Sequence, residues 1–270
     1  MASLRDVRSP SGRLDARELE RLYRLYNRPA LRTSDPVEFA HRYREPLDRE
    51  VAAIVASSLA FGAVKQIRTG VERALSTLGD SPAAFLDETP PRRLAALLRG
   101  FKHRWITGDD LAGLLGGVRS AMAAHGSLGE LFRSRLDSSD RDAGSAAGLF
   151  AEEIRRRGGG FRRCLLPSPR DGSACKRLHL YLRWMIRKDE IDTGLWQGIP
   201  AALLLVPLDV HMHRAAWTLG LTRRRAADHA TAREVTEGFR TFAPEDPVKY
   251  DFALAHEGMS GAAREGGRHA

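Results

Sequence analysis

Cysteine is scarce in this sequence: Cys164 and Cys175 are the only two in 270 residues. Two cysteines cannot build a disulfide framework, and without a third or fourth there is no cysteine set for a structural zinc or an iron–sulfur cluster. The expected setting is therefore reducing and cytoplasmic. Long apolar runs are also lacking. The longest, IPAALLLVPL, is about half the roughly 18 residues a membrane helix needs and is interrupted by proline at both ends, so no membrane association is expected. The opening MASLRDVRSPSGR has no apolar core, so secretion is not expected. Lysine is the third scarcity. Only Lys65, Lys102, Lys176, Lys188 and Lys249 occur, and the other 38 of the 43 basic residues are arginine. Arginine stays protonated, whereas a lysine amine can lose its proton and act as a nucleophile, so the five lysines are candidates for places where arginine cannot serve, without singling out one of them.

Base is what the chain has in excess. Lysine and arginine outnumber the 34 acids to give a net charge of +9, which favours a polyanionic partner, and nucleic acid is the commonest one. Apolar spacing is helical almost throughout. Leu19, Leu22, Tyr23 and Tyr26 form one stripe. SDPVEFAHRY starts with a cap and a proline, EVAAIVASSLAF and VKQIRTGVERALSTLG read as two helices hinged at Gly62, and DDLAGLLGGVRSAMAAHG is another. Ser127 to Glu130 is a capping box. Residues 144–157, 174–187, 209–219, 231–242 and 244–256 complete the helices, and no alternating strand stands out. The expected fold class is all-α. Residues 14–261 read as a single domain, and 1–13 and 262–270 as disordered tails.

Two residues carry the chemistry. PRDGSAC leads from a turn into a helix whose first turn holds Lys176, and such a turn plus a helix N-terminus presents backbone N–H groups to an anion such as phosphate. On a helical wheel Leu178, Tyr181, Leu182, Met185 and Ile186 share the core face, while Lys176, Leu180, Arg183 and Arg187 lie opposite as a basic strip. Asp209, in VPLDVHMH, sits where a helix N-cap belongs, and a capping carboxylate is rigidly aimed. His211 and His213 are two apart, on different sides of a helix, so no metal site is expected there.

The segments GSACKRLHLYLRWMIRKDEIDTGLWQGI and LLLVPLDVHMHRAAWTLGL, with DPVEFAHRYREPLDREVAAIVASSLAFGAVKQI, GFKHRWITGDDL and PEDPVKYDFALAHEGMSG, resemble the helix-hairpin-helix DNA glycosylases, most closely a bacterial branch of the DUF2400 type. The resemblance covers roughly residues 15–260 and implies two helical lobes with a cleft between them, the hairpin lying at about 164–187. It implies base-excision repair of damaged duplex DNA, on an oxidised purine such as 8-oxoguanine, with abasic-site lyase activity. Lys176 matches the nucleophile that attacks the sugar C1′ and leaves a Schiff base, and Asp209 the assisting carboxylate. Gly172, Ser173 and Ala174 of the hairpin, with Arg177 and Arg183, would hold DNA phosphate. Leu59 stands where many relatives carry a glutamine that enters DNA, and Phe61, Trp184, Trp196 and His211 are candidates for the base pocket. No cofactor is implied, since the iron–sulfur cysteines of one branch are absent. Two departures stand out: Lys176 and Asp209 are 33 residues apart, as in an extended archaeal branch, and Ala174 replaces the usual second hairpin glycine. The alternatives are a non-catalytic module reading DNA or RNA shape, and a helical scaffold for protein. A nucleoid-associated monomer is the expectation.

Overall fold

The computed structural model describes residues 15–266, with side chains placed through residue 258. Among these residues the chain forms thirteen α-helices, numbered here in order, four short 3-10 helices and one two-stranded hairpin. It is an all-α protein. No helix among the described residues is long and apolar enough to cross a membrane.

Two helices form the middle of the structure. α3 (Pro46–Ser58) buries every residue from Glu50 to Ser58, and α10 (Lys176–Ile186) every residue from Leu178 to Ile186. They pack on each other, and α9 (Gly144–Arg157) flanks α10 and packs on α7 (Gly108–His125). The α7–α9 contact is close enough that a Cβ at Gly117 would lie 2.3 Å from the Ile154 carbonyl oxygen, which explains a glycine inside a helix that would otherwise be weakened by it. α1 (Ala16–Tyr26) buries Leu19 and Leu22 against α13 (Asp251–Gly266).

Local chemistry sets most boundaries. α4 (Val64–Leu78) is separated from α3 by Gly62 at φ +101° and ends on Gly79. α7 is opened by a reciprocal Thr107–Asp110 capping box and closed by Gly126, and Ser127 accepts the Glu130 N–H to start α8 (Leu128–Arg133). Glu50 reaches across from α3 to accept the Leu128 and Gly129 N–H groups as well as Trp196 Nε1–H, so one buried carboxylate ties three segments together.

Several expectations differ from the structure. SDPVEFAHRY yields only the short α2 (Glu38–His41), after a 3-10 turn over Pro29–Ser34. Residues 243–250 form turns rather than helix, because Pro247 lacks the N–H a helix needs, and α13 starts at Asp251. It then runs to Gly266, past the expected domain end at 261, so of the expected C-terminal tail only 267–270 lie outside the described residues, as do 1–13 entirely. Two helices passed unnoticed, α5 (Pro82–Glu88) and α6 (Pro91–Leu97), each opened by proline. So did the hairpin of β1 (Lys102–His103) and β2 (Ile106–Thr107), whose strands are too short to show alternation.

Candidate functional site

The segment before α10 is built by turns and held by arginine. Ser168 and Asp171 cap a 3-10 turn over Pro169–Asp171 reciprocally. Arg155 of α9 donates to the Leu166 and Arg163 carbonyls and to the Asp171 carboxylate, stapling the whole segment to α9. Its hydrogen bond from Arg155, and then that from the Ser168 N–H, hold the Asp171 carboxyl below the usual carboxylate range despite some burial. Gly172 follows at φ +73°, with no atom within 4 Å of where a Cβ would be, so glycine is needed there for its backbone conformation alone. Ala174 has an ordinary φ, and the second left-handed residue is instead Cys175, at φ +52°. Cys175 makes no side-chain cap, which leaves the first N–H groups of α10 without an acceptor from the chain's cap position. Its thiol is buried and pushed up to about 12, so it is not a nucleophile at neutral pH.

Lys176 is the first residue of α10, about a third exposed, and its Nζ lies 3.2 Å from Asp209 Oδ2. Asp209 caps α11 (Val210–Thr218): its Oδ1 accepts the N–H groups of His211 at 2.9 Å and Met212 at 2.8 Å. One carboxylate oxygen is thereby fixed by the helix and the other faces the amine. Burial alone would push the Asp209 carboxyl up, but the Lys176 ammonium and the Met212 N–H outweigh it and hold it below its ordinary value.

The pair lines a pocket of about 570 Å³, within the range of small-molecule sites. Its walls come from four places: the Ser34–Pro36 turn, the Ala60–Gly62 turn with the start of α4, the Lys176 and Asp209 helix ends, and α13 through Asp251, Phe252 and His256. The Phe252 and His256 rings lie 4.0 Å apart, and His256 Nε2 shares a 2.8 Å hydrogen bond with Ser34 Oγ. Asp251 lines the same pocket and is buried. Burial, reinforced by the Asp209 charge and opposed by Arg183, pushes its carboxyl up to about 6.

The other expected residues divide. His211, Phe61 and Ser173 line the pocket, and Gly172, next to Ser173, is exposed. Ala174 lines it but is almost fully buried. Five positions are corrected. Leu59, Trp184 and Trp196 are core residues rather than stacking surfaces, with Trp196 Nε1–H donated to Glu50. Arg183 is not on a basic strip: α10 is buried all round from Leu178 onward, and the Arg183 guanidinium donates to Asp192 and Asp251, as Arg187 does to Asp189, Asp192 and Asp246. The strip inferred from the wheel is thus neutralised by aspartates from elsewhere in the chain. Arg177 also turns inward, donating to the Ser58 carbonyl and lying 4.7 Å over the Phe61 ring. His213 bonds the Arg224 carbonyl oxygen.

Sequence reading missed the β1–β2 hairpin at the rim. Its tip carries Arg104, at φ +55°, and Trp105, which is 49% exposed and 5.0 Å from the Phe61 ring. The Arg104 guanidinium lies 4.8 Å over Trp105, and His103 packs edge-on to Phe61. A tryptophan in the polar run KHRWIT, outside any apolar period, was the signal that could have found it. Asp251 gave no such signal.

No curated protein and no solved structure matches this chain. Residues 35–260 match the family described as "Protein of unknown function (DUF2400)". That span takes in α3, α10, Lys176, Asp209 and Asp251, with every wall of the pocket but Ser34, and the chain belongs to the DUF2400 family.

Proposed function

We propose that this protein is a DNA base-excision glycosylase with abasic-site lyase activity, acting through a Schiff base on Lys176. One observation carries the reading: the Lys176 amine and the Asp209 carboxylate, 33 residues apart, meet at 3.2 Å in a pocket large enough for an extruded base. The resemblance of residues 15–260 to helix-hairpin-helix glycosylases supports it, as does the turn-and-helix entry that offers backbone N–H groups to phosphate. In this reading a nucleotide swings out of damaged duplex DNA into the pocket. The Lys176 nitrogen bonds C1′ as the base leaves, and Asp209 remains an anion beside the positive charge developing on the sugar. Phe61 and the Phe252–His256 pair offer ring faces to the base. Trp105, propped by Phe61 at the rim, is the side chain placed to stack where the nucleotide has left. An oxidised purine such as 8-oxoguanine is the proposed class of base.

The test is covalent trapping. Borohydride should link the wild-type protein to duplexes holding 8-oxoguanine or an abasic site, and Lys176→Gln should form no adduct. The competing reading, a binding module in which the pair is only an ion bridge between α10 and α11, predicts no adduct from the wild type. It also predicts that Lys176→Gln weakens binding by about one phosphate contact, with a shallower salt dependence.

A further inference from the structure

A cluster of mostly buried acids adjoins the pocket through Asp251 and Arg183, and the proposed chemistry has not used it. Arg183 and Arg187 are surrounded by Asp189, Asp192, Asp246 and Asp251. Four carboxyls face two guanidiniums, and three of the four have side chains less than a tenth exposed. Four negative charges against two positive ones in a poorly solvated site are strongly disfavoured, so such a cluster holds a proton readily. The members are not equivalent. Asp192 accepts guanidinium N–H groups on both oxygens, from Arg183 and from Arg187. Asp189 accepts the Ile191 and Asp192 backbone N–H groups besides Arg187, and Asp246 reaches solvent. Asp251 only shares Arg183 with Asp192, and it alone of the four lines the pocket with Lys176 and Asp209.

We infer that Asp251 is the proton carrier of this site, taking a proton from the Lys176 ammonium and passing it to the departing base. The inference rests on the lyase reading above. An ammonium has no lone pair, so one N–H bond must break before nitrogen can bond carbon. The proton moves from Lys176 Nζ to the Asp251 carboxylate across the pocket that both line, and leaves the electron pair on nitrogen. That pair forms the N–C1′ bond while the C1′–base bond breaks with its electrons on the base, and the base takes the proton from the Asp251 carboxylic acid. One proton moves twice and none is created.

Asp209 is nearer the amine but is the poorer carrier. Its anion is stabilised by the very groups that fix it, the cap N–H donors and the ammonium, whereas burial and the neighbouring Asp209 charge destabilise the Asp251 anion. Two carboxylates pushed apart in this way divide into a permanent anion and an acid–base group. The charged and titratable groups around Asp251 agree with that division. α10 presents Lys176 and Arg183, the head of α11 presents Asp209 and His211, and the Ser34–Pro36 turn presents Asp35. α1 presents Tyr23, bonded to Asp189 and Arg187, and His256, on α13 itself, is kept neutral at pH 7 by burial.

The experiment is the pH dependence of single-turnover trapping on a lesion duplex, for the wild type, Asp251→Asn and Asp251→Glu. The wild-type rate should rise with pH through a limb centred near pH 6. Asp251→Asn should lose that limb and about 10²-fold in rate at neutral pH, and Asp251→Glu should restore the limb. A uniform slowing of Asp251→Asn with the limb intact would mean a merely structural role and would overturn the inference, as would an unchanged rate. Failure of the lyase reading looks different, because then the wild type itself forms no adduct. Carboxyl carbon NMR stays decisive in either case, and in a variant of lowered stability. The resonance lost in Asp251→Asn should titrate near pH 6 in the wild type and move in Lys176→Gln. A resonance flat across that range overturns proton carrying.

Discussion

Asp209 performs two tasks that substitution can separate. Its Oδ1 caps α11 through the His211 and Met212 N–H groups, and its Oδ2 faces the Lys176 ammonium at 3.2 Å. Asparagine caps helices about as well as aspartate, so Asp209→Asn keeps the first task and removes the charge needed for the second. The pair is about a third exposed on both sides, and ion pairs in such positions contribute about 0.2–1 kcal/mol. Asp209→Asn should therefore lower stability by less than about 1 kcal/mol, a shift of about 2–4 °C at most for a chain of this size. Asp209→Ala also loses the cap, about 1 kcal/mol more. Trapping should not follow that order. If the carboxylate charge stabilises the sugar cation, both variants should lose roughly 10²–10³-fold in rate, as when one preorganised electrostatic partner is removed. Thermal melts and single-turnover borohydride trapping on the same preparations decide it. Asp209→Asn trapping at nearly the wild-type rate would refute the electrostatic role. Asp209→Asn melting as low as Asp209→Ala would refute the assignment of Oδ1 to the cap.

Two further outcomes follow from burial. His179 is fully buried with neither ring nitrogen hydrogen-bonded, and burial, with the nearby His229, pushes its pKa down to about 3. In the unfolded chain a histidine takes up a proton below about pH 6.5, so stability should fall as pH drops from there towards 3 and level off below it. Between pH 7 and 4.5 the loss works out at roughly 2–3 kcal/mol. Calorimetry of His179→Leu should show most of that slope gone, and an unchanged slope would place the acid sensitivity elsewhere. Trp105, exposed at the rim, should be replaceable by alanine with little change in melting temperature. Its loss should weaken binding to lesion duplex by about 1–3 kcal/mol, the worth of one base–aromatic stack; unchanged affinity in a fluorescence titration would remove the rim hairpin from the binding surface.

The helices were legible wherever the signal was local. α9 occupies the residues its apolar period marks, α4 ends on Gly79 and α7 on Gly126, and Ser127 starts α8. Each depends on residues within a few positions of one another, which periodicity and capping chemistry read directly. α10 shows where that reading fails. A helical wheel assumes one solvated face, but from Leu178 onward α10 has none, because Arg183 and Arg187 are matched by aspartates as far as 68 residues away. No pattern within the helix could report those partners. The same holds for Trp184 and Trp196, whose burial depends on which helices close over them.

The amino-acid sequence by itself determined that the protein is all-α, that a lysine opens one helix and that an aspartate caps another, because 3.6-residue periodicity and end-capping act over a single turn. Only the tertiary structure decided that this lysine and aspartate share a pocket, that Asp251 lines it too, and which arginines face water. Distances across the fold and the desolvation of paired charges set those outcomes, and neither is written in any short stretch of chain.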